Sequence, residues 1–204
     1  FILSAAIRYD DYDGFGASSN IKLAANWSIT EDFALRSAIS TGFRAPSMQQ
    51  LYFNNISTQF VTDPNNPSGD QIALQVGTFR NDSVLAQAIG IPELKEEEST
   101  NYSFGVVYHA TDNINITVDF YAIDIEDRIV ISNKLGEGLS PALDAALKAS
   151  GAGAGQFFLN GADTETRGVD MIATWNTEAL GGDVDVTLAA NFTETEVTDI
   201  FTPP

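Results

Sequence analysis

The chain has no cysteine and one histidine in 204 residues. Without cysteine, neither a disulfide framework nor a thiolate metal site can form. With His109 alone, Ser-His-Asp triads and imidazole metal centres lack their parts. Positive charge is scarce as well: 10 Lys and Arg stand against 28 Asp and Glu, a formal charge of −18, so a phosphate backbone would be repelled and nucleic acid is a poor partner. No apolar run reaches the length of about eighteen residues that a membrane-crossing helix needs. No charged region precedes an apolar stretch at Phe1, so no signal peptide is read there. Both ends, Phe1 inside an alternating segment and Phe201-Thr-Pro-Pro204 just after another, are expected to be cuts in a longer chain.

What the chain does have is alternation. Apolar residues make up 44 % and aromatics 10 %, which predicts a folded chain. Phe1, Leu3, Ala5, Ile7 and Tyr9 share one face of a strand, and Ile21, Leu23, Ala25 and Trp27 repeat the pattern. Phe33, Leu35 and Ile39 follow, then Tyr102 to Tyr108, Ile114 to Ala122, Val169 to Trp175 and Val184 to Phe192. About seven strands of roughly 9–12 residues result, long for a soluble sandwich and suited to a tilted membrane strand. Three connections are short (Ser28–Asp32, Ala110–Asn113, Asn176–Asp183). They alternate with a modest one (Asp10–Ser19) and two long ones (Phe43–Ser99, Asp127–Glu165). Successive antiparallel strands leave on opposite sides, so short turns fall at one rim and long loops at the other, as in outer-membrane barrels. Trp27, Phe33, Tyr108 and Trp175 all lie near short turns, where an aromatic girdle would sit. The opposite face is polar, with Arg8, Lys22 and Arg36 on the first three strands and Asp119, Asp170 and Asp185 on the last three. The fold predicted is all-β: an antiparallel meander forming part of a large transmembrane β-barrel over 1–204, with long loops containing short helices. One helix runs from Ser140-Pro141 to Gly151, and a second over Ser83–Ile89 is closed by Gly90.

No enzyme is read from the side chains. Asp124, Glu126 and Asp127 could in principle do acid–base work, but a charge cluster at a loop rim explains them better. The acidic segments Asp10–Asp13, Glu93–Glu98, Asp163–Glu165 and Glu194–Asp199 read as solvated loops. Asp63-Pro-Asn-Asn-Pro-Ser-Gly-Asp70 offers oxygen ligands but lacks the EF-hand spacing and closing glutamate, so Asp63 and Asp70 are weak metal candidates and no cofactor is expected. Gly151-Ala-Gly-Ala-Gly155 lacks the lysine of a phosphate-binding loop and reads as a flexible hinge.

The segment Leu35 to Tyr52 contains Gly42-Phe-Arg-Ala-Pro46 followed by Leu51-Tyr52, and it resembles the barrel signature of TonB-dependent receptors. Gly42, Phe43, Arg44, Ala45, Pro46 and Leu51 match position by position. Pro46 holds Ala45 extended and ends strand pairing. Leu94 to Asn101 resembles the family's Leu-x-Pro-Glu-x-Ser segment, with Glu96 where proline is usual. Asp119 to Ile129 resembles a strand entering an outer loop, and Asn160 with Thr166-Arg-Gly168-Val-Asp170 resembles a later stretch in the family's order. The resemblance implies an outer-membrane receptor that takes up a scarce nutrient of the siderophore, cobalamin or glycan class. It also implies as partners TonB with its inner-membrane energising complex, the ligand, and outer-membrane lipid. These motifs are architectural and carry no ligand-contact consensus. Two other classes compete: a passive porin or autotransporter barrel, and a secreted β-sandwich adhesin whose apolar faces would be buried. Seven strands cannot close the family's barrel of about 22, so two edges are expected to be unpaired.

Overall fold

A computed structural model describes residues 1–12, 16–62, 69, 71–179 and 181–201. In chain order the elements are β1 (Ile2–Tyr12), β2 (Gly16–Ser28), β3 (Phe33–Arg44), α1 (Met48–Tyr52), β4 (Asn55–Thr62), β5 (Gln71–Thr78), α2 (Val84–Ala88), β6 (Glu97–Thr111), β7 (Ile114–Ile131), β8 (Leu135–Gly136), α3 (Pro141–Ser150), β9 (Ala154–Gln156), β10 (Phe158–Ala179) and β11 (Gly182–Ile200). Two compact units divide the chain: Phe1–Arg44, Glu98–Glu126 and Asp163–Asp199 form the first, and Ala45–Glu97, Asp127–Ala162 and Ile200–Pro204 the second.

The first unit is a meander. Its sheet order is β1-β2-β3-β6-β7-β10-β11, so every strand sits beside its predecessor among the seven, as the alternation predicts. β1 and β11 are the outer strands of that order. The apolar face is exposed along its length: Leu3, Ile7, Leu23, Phe104, Phe120, Leu188 and Phe192 are all open. A sandwich would have to bury such a face, because an apolar surface this large is not left in water. The predicted girdle residues lie on that face, and Phe33 meets Tyr108 edge to face at 6.4 Å.

The short turns are tight. Phe33 O accepts from Ile29 N at 2.9 Å and Thr30 N at 3.2 Å, closing β2 to β3. Only residues 112–113 separate β6 from β7, with a bulge between His109 and Thr111. The modest connection read at Asp10–Ser19 is shorter than expected, because pairing continues from Asp10↔Ser18 to Tyr12↔Gly16. Strands also outrun their apolar stretches. β10 has 22 residues and β11 has 19, so Asp163–Glu165 and all of Glu194–Asp199 are strand and not the loops expected from their charge. At about 3.3 Å per residue, β10 spans roughly 70 Å, far more than an oil layer of about 30 Å requires. The backbone ladder continues where the lipid-facing requirement has ended, so the acidic residues sit on strand extensions.

The second unit collects both long connections. Its four-stranded sheet has the order β4-β5-β9-β8, with β5 and β9 parallel and the other pairs antiparallel. A core of Phe79, Leu85, Ala86, Ile91, Leu143, Leu147, Ala152, Phe157 and Leu159 joins the two connections. Both predicted helices form. α3 has Ser140 as N-cap, its hydroxyl accepting from Leu143 N at 3.2 Å, and ends at Gly151 with φ 75°. α2 is capped by Ser83, with Gly90 at φ 73° just beyond. α1 is an addition: Ser47 and Gln50 form a capping box, a pattern present in the sequence as Ser-x-x-Gln. The Gly151–Gly155 stretch is not a hinge. It ends α3 and leads into β9, and a Cβ on Gly153, just before that strand, would lie 2.6 Å from Leu74 Cδ1, so glycine there permits close packing.

Candidate functional site

The polar face of the first unit is its candidate site, and two glycines shape it. Gly105 on β6 pairs with Asp119 on β7. Arg36 on β3 crosses above Gly105 and grips Asp119 with both ends of its guanidinium, Nε to Oδ1 at 2.8 Å and Nη2 to Oδ2. A Cβ on Gly105 would stand 2.1 Å from Asp119 Oδ1 and 2.7 Å from Arg36 Nε, so this two-strand reach needs glycine beneath it. The same device recurs two strands along. Tyr121 of β7 passes over Gly168 of β10, and its hydroxyl lies 2.6 Å from Thr193 Oγ1 on β11. Asn191 donates to that hydroxyl at 3.3 Å and to Asp170 Oδ1 at 2.5 Å. Thr166 and Thr195 pair at 2.9 Å nearer the far end. Neither crossing is visible in a pattern of single residues, because each depends on which residues face one another two strands apart.

Of the signature residues, Gly42, Phe43 and Arg44 close β3. Phe43 packs edge to face on Tyr12 at 5.5 Å, and a Cβ on Gly42 would lie 2.9 Å from the Ser99 hydroxyl. Strand pairing ends there; Ala45 and the buried Pro46 follow, and Leu51 lies on α1. Gly168 underlies Tyr121. Asp63 and Asp70 lie outside the described residues. Among the described residues no three of His, Asp and Glu gather as a metal cage. His109 sits at the short-turn rim, its ring beside Asn115 Oδ1 and its backbone N–H donating to Asp32 O at 2.8 Å.

The second unit is fastened by Asn160. Its amide accepts from Lys95 N at 2.9 Å and donates to Lys95 O at 2.9 Å and Asp127 O at 2.7 Å. Lys95 Nζ meets Asp127 Oδ2 at 2.5 Å, and the buried Glu97 accepts from Ile129 N at 2.7 Å. Asp127 holds φ 57°, a left-handed conformation that aspartate tolerates when its surroundings fix it. Asn160→Ala should remove three hydrogen bonds and leave backbone groups unpaired, lowering the unit's stability by about 2–4 kcal/mol. Hydrogen exchange at Lys95 and Ile129 checks this; unchanged protection would show that the clasp contributes nothing.

Residues 1–203 match the family described as TonB dependent receptor-like, beta-barrel. Among solved structures, the siderophore receptor PirA from Pseudomonas aeruginosa is similar at TM-score 0.65 and 16 % identity, over 97 % of this chain and 32 % of that one. A variant of the ferric enterobactin receptor PfeA from the same organism is similar at 0.59 and 19 %, over 84 % and 22 %. The RagAB peptide transporter is similar at 0.63 and 14 %, over 99 % and 21 %. The chain thus spans under a third of the length of each of these proteins. At such identities these likenesses speak for the fold, and the match over 1–203 for the family. The chain belongs to the TonB dependent receptor-like β-barrel family and is a stretch of outer-membrane barrel wall with two of its long connections.

Proposed function

We propose that this wall segment serves a receptor that takes up a scarce, bulky nutrient of the siderophore, cobalamin or glycan class, driven by TonB and its inner-membrane complex. The observation that carries the reading is the folding of both long connections into one unit with its own core. A passive pore needs no such investment in its outer loops, whereas a receptor must hold a ligand-selecting surface. The siderophore receptors among the similar structures support the substrate class, and the peptide transporter extends it to peptides. Ligand meets the loop unit, lipid meets the apolar face, and the signature from Gly42 to Leu51, with Gly168, serves the architecture. No chemistry is done on the ligand.

The full-length parent, extracted from cell envelopes in mild detergent, should shift its mobility in SDS on boiling, as closed barrels do. Accumulation of radiolabelled ferric siderophore, cobalamin or oligosaccharide by cells carrying the parent should cease on deletion of TonB. A shift with undiminished uptake in the deletion strain would favour the passive barrel. A soluble parent without a shift would favour the adhesin.

A further inference from the structure

Asn160 and Gly161 form the one Asn-Gly pair in the 204 residues, and the fold needs each half of it for a separate reason. Asn160 is the clasp: its side-chain amide accepts from Lys95 N and donates to Lys95 O and Asp127 O, so it must carry a donor and an acceptor together. Gly161 is buried, and a Cβ there would lie 3.0 Å from Val130 Cγ2 and 3.4 Å from Leu159 Cβ, which leaves little room for a side chain. The two needs bring together a chemically labile dipeptide. The backbone nitrogen that follows an asparagine can attack that residue's own side-chain carbonyl carbon. Glycine, with no Cβ and a freely turning backbone, obstructs this attack least. In the folded unit the reaction is blocked twice. Asn160 lies within β10, whose extended backbone turns Gly161 N away from the Asn160 side chain. The nitrogen that would have to leave, Nδ2, is held by two backbone carbonyls.

We propose that Asn160 is a self-deamidation site kept closed by its own clasp, so that opening of the clasp is recorded irreversibly in the chain. Once it opens, Gly161 N bonds to Asn160 Cγ and the Cγ–Nδ2 bond breaks; the proton lost from Gly161 N leaves with Nδ2 as ammonia. Water then opens the cyclic imide at either carbonyl, giving aspartate, or isoaspartate with the chain running through the side chain. The net change converts one amide and one water to one carboxyl group and ammonia, with no other reagent. A carboxylate has no proton to give Lys95 O or Asp127 O, so two carbonyls then face an acceptor and the clasp does not close again. Isoaspartate also adds a methylene to the backbone of β10. Receptors whose loop unit has stayed shut are thereby distinguished from those in which it has opened. The proposal concerns the upkeep of that unit and does not rest on energised uptake, so the two fail separately.

The test follows Asn160 in the full-length receptor in mild detergent at mildly alkaline pH, by peptide mass mapping that resolves asparagine, aspartate and isoaspartate. Asn133, exposed and followed by Lys134, is the internal standard. In receptor unfolded by boiling in SDS, Asn160 should outrun Asn133 and yield isoaspartate as well as aspartate. In the folded receptor the ratio of the two rates should fall roughly a hundredfold, since three hydrogen bonds of ordinary net strength must open first. A ratio unchanged by folding overturns the proposal, as does an unfolded chain in which Asn160 reacts no faster than Asn133. Asn160→Asp presents one product directly. Its hydrogen exchange at Lys95 and Ile129 should be as fast as in Asn160→Ala, and wild-type protection there also overturns the proposal. Should that variant fail to show the boiling shift, the same exchange is read on the deamidated fraction of aged wild-type receptor, separated by charge.

Discussion

Phe157→Ala should release the second unit's core while leaving the wall intact. Phe157 is fully buried, and its ring sits 6.1 Å from that of Phe79, with Leu143 and Leu147 in the same cluster. Truncating a buried phenylalanine costs about 3–5 kcal/mol, the lost transfer energy plus the cavity left behind. The core here holds nine buried residues, and a unit that small has a stability of the same order as the loss. One backbone bond ties the connections together at this point, Phe79 N donating to Gln156 O at 3.0 Å, and a second, from Ser132 N to Phe157 O at 2.7 Å, closes the later connection on itself. Hydrogen exchange on the full-length receptor should therefore show lost protection at Phe79, Ile91, Ser132 and Ala152 together, from both connections at once. The boiling-dependent shift should persist, because it reports the wall. Loss of protection confined to 127–162 would mean that the two connections fold separately.

That coupling was not legible in the sequence. Periodicity finds an element by its own face, so α3 was readable from Ser140, Pro141 and Gly151, each of which acts within a turn of the helix end. The parallel pairing of Val76–Thr78 with Ala154–Gln156 joins segments about eighty residues apart, and three-residue β9 is too short to alternate. A run of glycines there suggests freedom of the backbone. In the folded unit it reflects the opposite, a close approach just before β9 where a Cβ on Gly153 would force the Leu74 side chain aside. The seven wall strands were readable because lipid imposes period two over each crossing. Their ends were not, since beyond the membrane the ladder of hydrogen bonds continues without the apolar face that marks it. Asp163–Glu165 and Glu194–Asp199 were charged because they stand in water, not because they are loops.

The polar face was half legible for a related reason. That Arg36 and Asp119 share it follows from alternation, but their meeting follows from register across three strands, with Gly105 between. Glycine is depleted in strand interiors because it packs nothing, so a strand glycine signals that some neighbour needs the space. Gly168 carried that signal in the resemblance, without the partner that explains it.

Gly168→Ala should accordingly cost far more than the entropy-based gain that alanine brings to a chain. The new Cβ would stand 2.3 Å from Tyr121 Cζ and from its hydroxyl, well inside contact distance. The ring must swing off β10, which breaks the 2.6 Å bond to Thr193 and the 3.3 Å bond from Asn191. Losing these and repacking the ring should cost about 2–4 kcal/mol. The cause is checked by a double-mutant cycle on the full-length receptor, read as the temperature midpoint of the mobility shift. Tyr121→Ala removes the obstacle, so in that background Gly168→Ala should be nearly neutral, giving a coupling of about 2 kcal/mol. Tyr121→Phe loses the hydroxyl bonds but keeps the ring, so the clash with Gly168→Ala should remain there. Equal losses in all three backgrounds would show that Gly168 serves the β10 backbone itself and not the passage of Tyr121. The same logic applied to Gly105→Ala would split Arg36 from Asp119, so the two crossings can be tested independently on one wall.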